Sequence, residues 1–210
     1  MVRKGGATSL SGRAKPESRV RLIGGKWRRS WLPVLDAPGL RPTPDRVRET
    51  AFNWIVHQLG GSLSGVSAFD PFCGSGALGL EAASRGAAPV VLADANASVI
   101  ASLRSTLSRL KAEDVTLVVA DALQLIGRFA AAGERFAVVF LDPPFGEAWI
   151  SRVLPCLHAI SAEGGLVYVE SEGELSEDEA AKSGFERLRA DKAGQVFYHL
   201  LRRNIDAPVA

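Results

Sequence analysis

The sequence predicts an α/β domain: a mostly parallel seven-stranded sheet, covered by helices and closed by an antiparallel hairpin. Three observations predict it. From residue 66 onward, short apolar runs alternate with longer helix-periodic segments. The runs are apolar at nearly every position, the mark of strands buried on both faces of a parallel sheet. The last two runs, 185–190 and 196–201, are joined by too few residues for a crossover and so form a hairpin.

The elements follow in order. Residues 1–18 are rich in Gly, Ser, Lys and Arg, lack apolar periodicity and read as a disordered basic tail. Residues 19–35 carry alternating apolar positions, with Gly24-Gly25 at the expected turn of a short hairpin. Pro38-Gly39 and Arg41-Pro42-Thr43-Pro44 form a stiff loop; Thr43 is the expected N-cap and Pro44 the first position of a helix running through Ile55. Strands are predicted over 66–69, 90–93, 115–119, 137–141 and 166–169, separated by helices over 77–85, 97–110, 122–131 and 148–160. Parallel strands ending in an antiparallel hairpin are the plan of the class I, Rossmann-like methyltransferase fold. This divides the chain into a tail (1–18), an N-terminal hairpin and helix (19–60) and the main domain (61–204).

Composition narrows the function classes. No apolar stretch reaches the ~18 residues that a membrane helix needs, and the basic N-terminus has no apolar segment of a secretory signal. Cys73 and Cys156 lie far apart, as do the three histidines, so no metal site is expected; two free thiols fit a reducing, cytoplasmic setting. The net charge of +2 conceals an asymmetry. Residues 1–48 hold twelve basic and three acidic residues, and the rest carries an excess of seven acids. A basic arm with Trp27 and Trp31 among its charges suits nucleic acid, where cations hold phosphates and indoles stack on bases. Lys26, Trp27, Arg28, Arg29, Arg41, Arg46 and Arg48 are the candidate RNA contacts; the three last arginines could alternatively organise a lid over the cofactor.

The loop Asp70-Pro71-Phe72-Cys73-Gly74-Ser75-Gly76-Ala77-Leu78-Gly79 follows the first parallel strand and opens the first long helix. Its glycines satisfy the dinucleotide pattern G-x-G-x-x-G, which brings an NAD-dependent oxidoreductase into consideration. Asp70 argues otherwise. A carboxylate beside this loop repels a pyrophosphate but attracts the ammonium group of S-adenosylmethionine. Asp94 ends the second strand, placed for ribose hydroxyls, and Asp121 ends the third, placed to accept the adenine amino protons. Asp70, Gly74, Gly76, Asp94 and Asp121, with Phe72, Ala95, Ala122 and Asp142, make the expected cofactor set.

Asp142-Pro143-Pro144-Phe145 follows the fourth parallel strand. Two prolines stiffen the turn and remove two N–H donors, leaving the Asp142 carboxylate and the Pro143 carbonyl as acceptors. An exocyclic base amine is a weak nucleophile whose two protons need such acceptors. Phe145 offers a face to an unstacked base. These four residues are the expected catalytic group.

Together these motifs resemble the RsmD family of bacterial 16S rRNA (guanine-N2)-methyltransferases. The resemblance runs over nearly the whole chain after residue 19. It includes Arg21-Leu22-Ile23-Gly24-Gly25-Lys26-Trp27-Arg28, Gly39-Leu40-Arg41-Pro42-Thr43, Asp45-Arg46-Val47-Arg48-Glu49, Gly79-Leu80-Glu81-Ala82, Tyr168-Val169-Glu170-Ser171 and Ala193-Gly194-Gln195-Val196. It implies methylation of a guanine 2-amino group in small-subunit rRNA, S-adenosylmethionine as cofactor, a partly assembled small subunit as substrate and a monomeric enzyme. Cys73 stands where such proteins often have Ala, suggesting an oxidisable thiol near the cofactor; Asn96 stands where they commonly have Asp. Two other readings remain open on residue chemistry alone: an adenine-N6 or other nucleic-acid amino methyltransferase, and a non-catalytic RNA-binding module of ribosome assembly.

Overall fold

A computed structural model describes residues 19–34, 43–146 and 148–205. The predicted disordered tail and the loop containing Pro38-Gly39 and Arg41 lie outside the described residues. The chain order is β1 (Arg19–Arg21), β2 (Trp31–Pro33), α1 (Asp45–Gln58), β3 (Ala68–Asp70), α2 (Ala77–Ser84), β4 (Val90–Asp94), α3 (Ala97–Leu110), β5 (Val115–Val119), α4 (Ala122–Ala132), β6 (Phe136–Leu141), α5 (Trp149–Leu157), β7 (Ser161–Ser171), α6 (Glu177–Lys182), β8 (Phe185–Ala193) and β9 (Val196–Arg203).

The main sheet has seven strands in the order β5-β4-β3-β6-β7-β9-β8. Strands β3 to β7 run parallel, and β9 lies antiparallel between β7 and β8. Strand order reverses direction at β3, between β4 and β6, so a crevice opens at the carboxyl ends of these strands, where open α/β sheets bind ligands. Both faces are buried. Phe140, Tyr168 and Leu200 point into one core with Leu80, Ile100 and Phe52. Val139, Val167 and Leu201 point into the other with Leu125, Val153 and Phe185. That period-two alternation under helices on both sides is why the runs are apolar at consecutive positions.

The N-terminal hairpin and α1 close the first core, through Leu22, Leu32, Val47 and Phe52. Strands β1 and β2 pair antiparallel as expected, Val20 opposite Leu32. The Gly24-Gly25 pair is not the tight turn that the sequence suggested. The connection spans residues 22–30, and its two glycines let the backbone lie against the end of α2: a Cβ on Gly25 would stand 1.8 Å from the Ser84 carbonyl oxygen. There Lys26 N donates to Ser84 O at 2.7 Å, and the buried Glu81 carboxylate accepts Ile23 N and Gly24 N at 2.7 and 2.8 Å. Arg85 Nε completes that carboxylate at 2.7 Å.

Helix boundaries follow local chemistry. Asn96 caps α3 by accepting Ser98 N, and Gly133 ends α4 in the left-handed region at φ 74°. Helix α1 departs from expectation: Pro44, not Thr43, occupies the N-cap position, with no side-chain cap, because the Thr43 hydroxyl is engaged elsewhere. Helix α6, absent from the sequence reading, begins with a capping box between Ser176 and Glu179. Among the described residues no helix is long and apolar enough to cross a membrane.

Candidate active site

A cavity of about 300 Å³ opens at the carboxyl ends of β3, β4, β5 and β6. Its wall includes Asp70, Asp94, Asp121 and Asp142, one from the end of each strand, so the expected convergence of strand-end acids holds. Phe72, Gly74, Ala95, Ala122 and Pro143 to Phe145 also line it.

Asp70 ends β3 and is 2% exposed. Its Oδ2 accepts Gly79 N at 3.2 Å, while Oδ1 is buried without a hydrogen-bond partner. Burial, with Asp94 nearby, pushes its carboxyl up to about 7, against the pull of the Gly79 and Phe72 backbone amides. A buried acceptor without a donor is costly unless a ligand supplies one, and a cation is the donor that suits a carboxylate. The glycines make room. Gly76 starts α2 at φ 77°, and a Cβ on Gly79 would lie 2.1 Å from Leu92 Cδ2, so a side chain there would have to displace the buried Leu92 on β4.

Asp94 braces the loop itself: its Oδ2 accepts Gly74 N at 3.1 Å and its Oδ1 accepts Asn96 N at 2.8 Å. Each oxygen keeps a second lone pair for a hydroxyl. Asp121 caps α4, accepting Gln124 N through Oδ1 at 3.0 Å, and still lines the cavity. Asn96 serves as a helix cap. Cys73 is buried on the cavity wall, and desolvation together with Asp70 and Asp94 raises its thiol far above its ordinary value, which disfavours the reactive thiolate.

Asp142 follows β6 and is half-buried on the same wall, pushed well above the usual carboxylate range by desolvation and by the charges of Glu170 and Asp70. Pro143 is buried, Pro144 exposed, and Phe145 presents an exposed ring. Gly146 N donates to Glu172 at 3.0 Å, tying the turn to the end of β7. Phe72 and Trp149 meet edge to face at 5.3 Å beside it. Three residues here escaped sequence reasoning. Val34 and Thr43 bring the N-terminal segments to the cavity wall. Glu170, in β7 beside β6, is buried and accepts the hydroxyls of Tyr168 at 2.8 Å and Thr43 at 2.9 and 3.0 Å. For Thr43 and Glu170 the only signal was membership in the Arg-Pro-Thr and Tyr-Val-Glu-Ser stretches; Val34 carried none.

The arm divides. Lys26, Arg28, Arg29 and Arg46 are exposed. Trp31 is 52% exposed, whereas Trp27 is half-buried against the core under Lys26 Nζ. Arg48 corrects the charge-based reading: it is fully buried, donating to the Arg21 carbonyl and to Asp45, both at 2.7 Å, and is shut off from phosphate. Its role is to hold α1 against the hairpin. Arg41 lies outside the described residues.

The orphan Asp70 oxygen, the glycine cradle and the ring of strand-end acids fit S-adenosylmethionine. Fold and site define a class I S-adenosylmethionine-dependent methyltransferase. A family model described as conserved hypothetical protein 95 matches residues 20–202. Ribosomal RNA small subunit methyltransferase D of Escherichia coli K12 is 40% identical over 187 residues, 88% of this chain and 90% of that one. The solved structure of yhhF, a methyltransferase candidate from Escherichia coli, superimposes with a TM-score of 0.75 at 39% identity, covering 89% of this chain and 99% of the other. A methyltransferase candidate solved in complex with SAH shares the fold at a TM-score of 0.67 and 16% identity, over 92% of this chain and 58% of its own. The chain belongs to the conserved hypothetical protein 95 family, the RsmD family that its motifs resemble.

Proposed function

We propose that this protein transfers a methyl group from S-adenosylmethionine to the exocyclic N2 amine of a guanine in 16S rRNA, within assembling small subunits. The observation that carries the reading is that Asp142 and its proline turn line the same cavity as Asp70, Asp94 and Asp121. The name of the Escherichia coli relative supports the ribosomal substrate.

When bound, S-adenosylmethionine supplies a methyl group activated on a sulfonium. Asp70 would hold its ammonium, Asp94 its ribose and Asp121 its adenine edge. The chain's part in the reaction is then positional and electrostatic. The Asp142 carboxylate and the Pro143 carbonyl accept the two amine protons, turning the nitrogen lone pair toward the cavity. The same acceptors stabilise the positive charge that grows on the attacking nitrogen, and Asp142 takes the proton that nitrogen must shed. Pro143 and Pro144 remove two N–H donors that would otherwise compete at the turn. The exposed Phe145 ring receives the face of the unstacked base. Lys26, Arg28, Arg29, Arg46 and Trp31 hold the surrounding RNA. The enzyme acts as a cytoplasmic monomer, its N-terminal tail adding unspecific attraction to RNA.

Tritiated methyl transfer to free 16S rRNA and to small subunits from an unmodified strain, followed by nucleoside analysis, tests this reading. N2-methylguanosine from the subunits is the expected product. N6-methyladenosine would replace the base assignment. Cofactor binding without any incorporation would leave the non-catalytic assembly role.

A further inference from the structure

The stretch Tyr168-Val169-Glu170-Ser171 has no part in the mechanism above. Its carboxylate nevertheless lies beside the catalytic turn. Strands β6 and β7 are parallel, with Leu141 opposite Val169, so the next residues, Asp142 and Glu170, emerge side by side at the same end of the sheet. Glu170 is 2% exposed and rigidly held. Tyr168 donates to Oε1 at 2.8 Å, and the single Thr43 hydroxyl proton is shared between Oε1 and Oε2 at 3.0 and 2.9 Å. A carboxylate offers about four acceptor positions, so one proton from each of two hydroxyls leaves Glu170 with acceptor capacity to spare.

Glu170 lines not the cofactor cavity but a second one, of about 410 Å³, on the other side of the proline turn. Pro143, Phe145 and Trp149 are common to both cavities, while Leu175 and Glu172 belong to the second alone. The second cavity therefore abuts the place where the target base must lie, and the side chains that separate the two include the catalytic turn.

We propose that Glu170 is the specificity-determining residue of the site: its spare acceptor position takes the N1–H of guanine while Asp142 and Pro143 hold the neighbouring N2 amine. This rests on the reading that the site methylates a base amine. The chemistry discriminates because guanine presents N1–H beside its amine, a row of donors that matches two adjacent carboxylates. Adenine presents a bare N1 lone pair beside its amine, which a carboxylate repels. A fixed, ionised acceptor is thus a filter against adenine, and the hydroxyls of Tyr168 and Thr43, which donate to it, favour that form and fix its orientation.

The test uses small subunits reconstituted from a two-piece 16S rRNA whose synthetic piece carries either guanine or 2-aminopurine at the methylated nucleotide. 2-Aminopurine keeps the N2 amine but has a lone pair at N1. The wild-type protein is expected to prefer guanine in kcat/KM by about ten- to a hundredfold, the worth of a hydrogen bond to a charged group. Glu170→Gln can turn an amide N–H toward N1, so its preference is expected to shrink by about tenfold. Loss of the guanine O6 is common to both proteins and cancels in that comparison. An unchanged preference in Glu170→Gln, with both rates merely lower, would make the residue structural and overturn the proposal. So would a wild-type protein that accepts 2-aminopurine as well as guanine, a result that needs no variant to fold. Titration with S-adenosylhomocysteine reports the integrity of the variant. If the wild-type protein methylates no guanine at all, the functional reading fails first and this inference falls with it.

Discussion

Replacing Asp70 by Asn isolates the charge that the cofactor's ammonium group is expected to meet. Burial pushes this carboxyl from 3.8 up to about 7, so near neutrality the ligand-free protein carries it partly protonated. Only the ionised form attracts an ammonium, and a free α-amino group stays protonated up to about 8. From pH 7.5 to 5.5 the ionised fraction falls from about three quarters to about 3%, which weakens binding by up to about 25-fold. S-adenosylhomocysteine is the appropriate ligand, since it keeps the ammonium and lacks the sulfonium. Calorimetry across this range, in buffers of different ionisation enthalpy, should show affinity rising with pH and a proton released on binding at the acid end. In Asp70→Asn the slope should largely vanish. The same shift acts on the free protein with the opposite benefit. A carboxyl whose folded value is raised binds its proton more tightly in the folded state, so folding stability falls as pH climbs from about 4 through 7. Between pH 6 and 8 the loss is about 1.4 kcal/mol, or about 3 to 6 °C in Tm, and Asp70→Asn should flatten it. Equal affinity slopes in the two proteins would refute the assignment of Asp70 to the ammonium.

Three further outcomes are expected. Asp142→Ala should lower methyl transfer by about a thousandfold or more while S-adenosylhomocysteine affinity stays within about tenfold, because the side chain acts on the amine; a tritium assay with calorimetry would show it, and retained activity would remove Asp142 from the mechanism. Glu81→Ala should cost about 3 kcal/mol or more, since it strands Ile23 N, Gly24 N and Arg85 around an empty space. A denaturation midpoint close to that of the wild-type protein would show the anchor to be dispensable. Replacing Lys26, Arg28 and Arg29 together by Ala should weaken binding to small subunits and reduce the slope of log affinity against log salt by about 2, as fits three lost phosphate contacts; an unchanged slope would move the RNA interface elsewhere.

What could be read in the sequence was whatever local chemistry decides. Strand β5 spans 115–119 and helix α3 spans 97–110, as predicted. The first is a run of apolar and β-branched residues, and the second is an amphipathic stretch with an Asn cap. Strand β7 runs over 161–171, far beyond the predicted 166–169. Its early part, Ser161 to Gly165, is polar and glycine-rich, and Ser161 is held in the sheet by pairing with Phe136 rather than by any pattern of its own. Helix α6 is too short for periodicity to reveal, although the Ser176-x-x-Glu179 cap was present to be seen. In the site, the strand-end acids were legible because strand ends and the glycine loop are local. Thr43 was not. By type and position it is a helix cap, yet its hydroxyl goes to a carboxylate 127 residues away. Arg48 was misread for the same reason: a charged run looks like surface until the packing of α1 buries one member completely.

The convergence of acids also explains the uneven charge along the chain. Asp70, Asp142 and Glu170 are all pushed upward by burial, and Asp142 is raised further by the charges of Glu170 and Asp70. Buried Arg48 offsets part of this by drawing Glu170 downward. Such a crevice repels phosphate and attracts cations and N–H donors, which suits a cationic methyl donor and, on the proposed reading, an amine-bearing base edge. On the proposed reading the backbone is held by a separate surface of opposite sign, for which the exposed cations of the hairpin are the candidates. Thr43 links the two regions: it lines the cofactor cavity, bonds Glu170 and stands next to Pro44, the N-cap of α1, the helix that Arg48 ties to the hairpin. The hairpin, α1 and the buried Glu170 carboxylate are thus joined through Arg48 and Thr43 by packed side chains and hydrogen bonds.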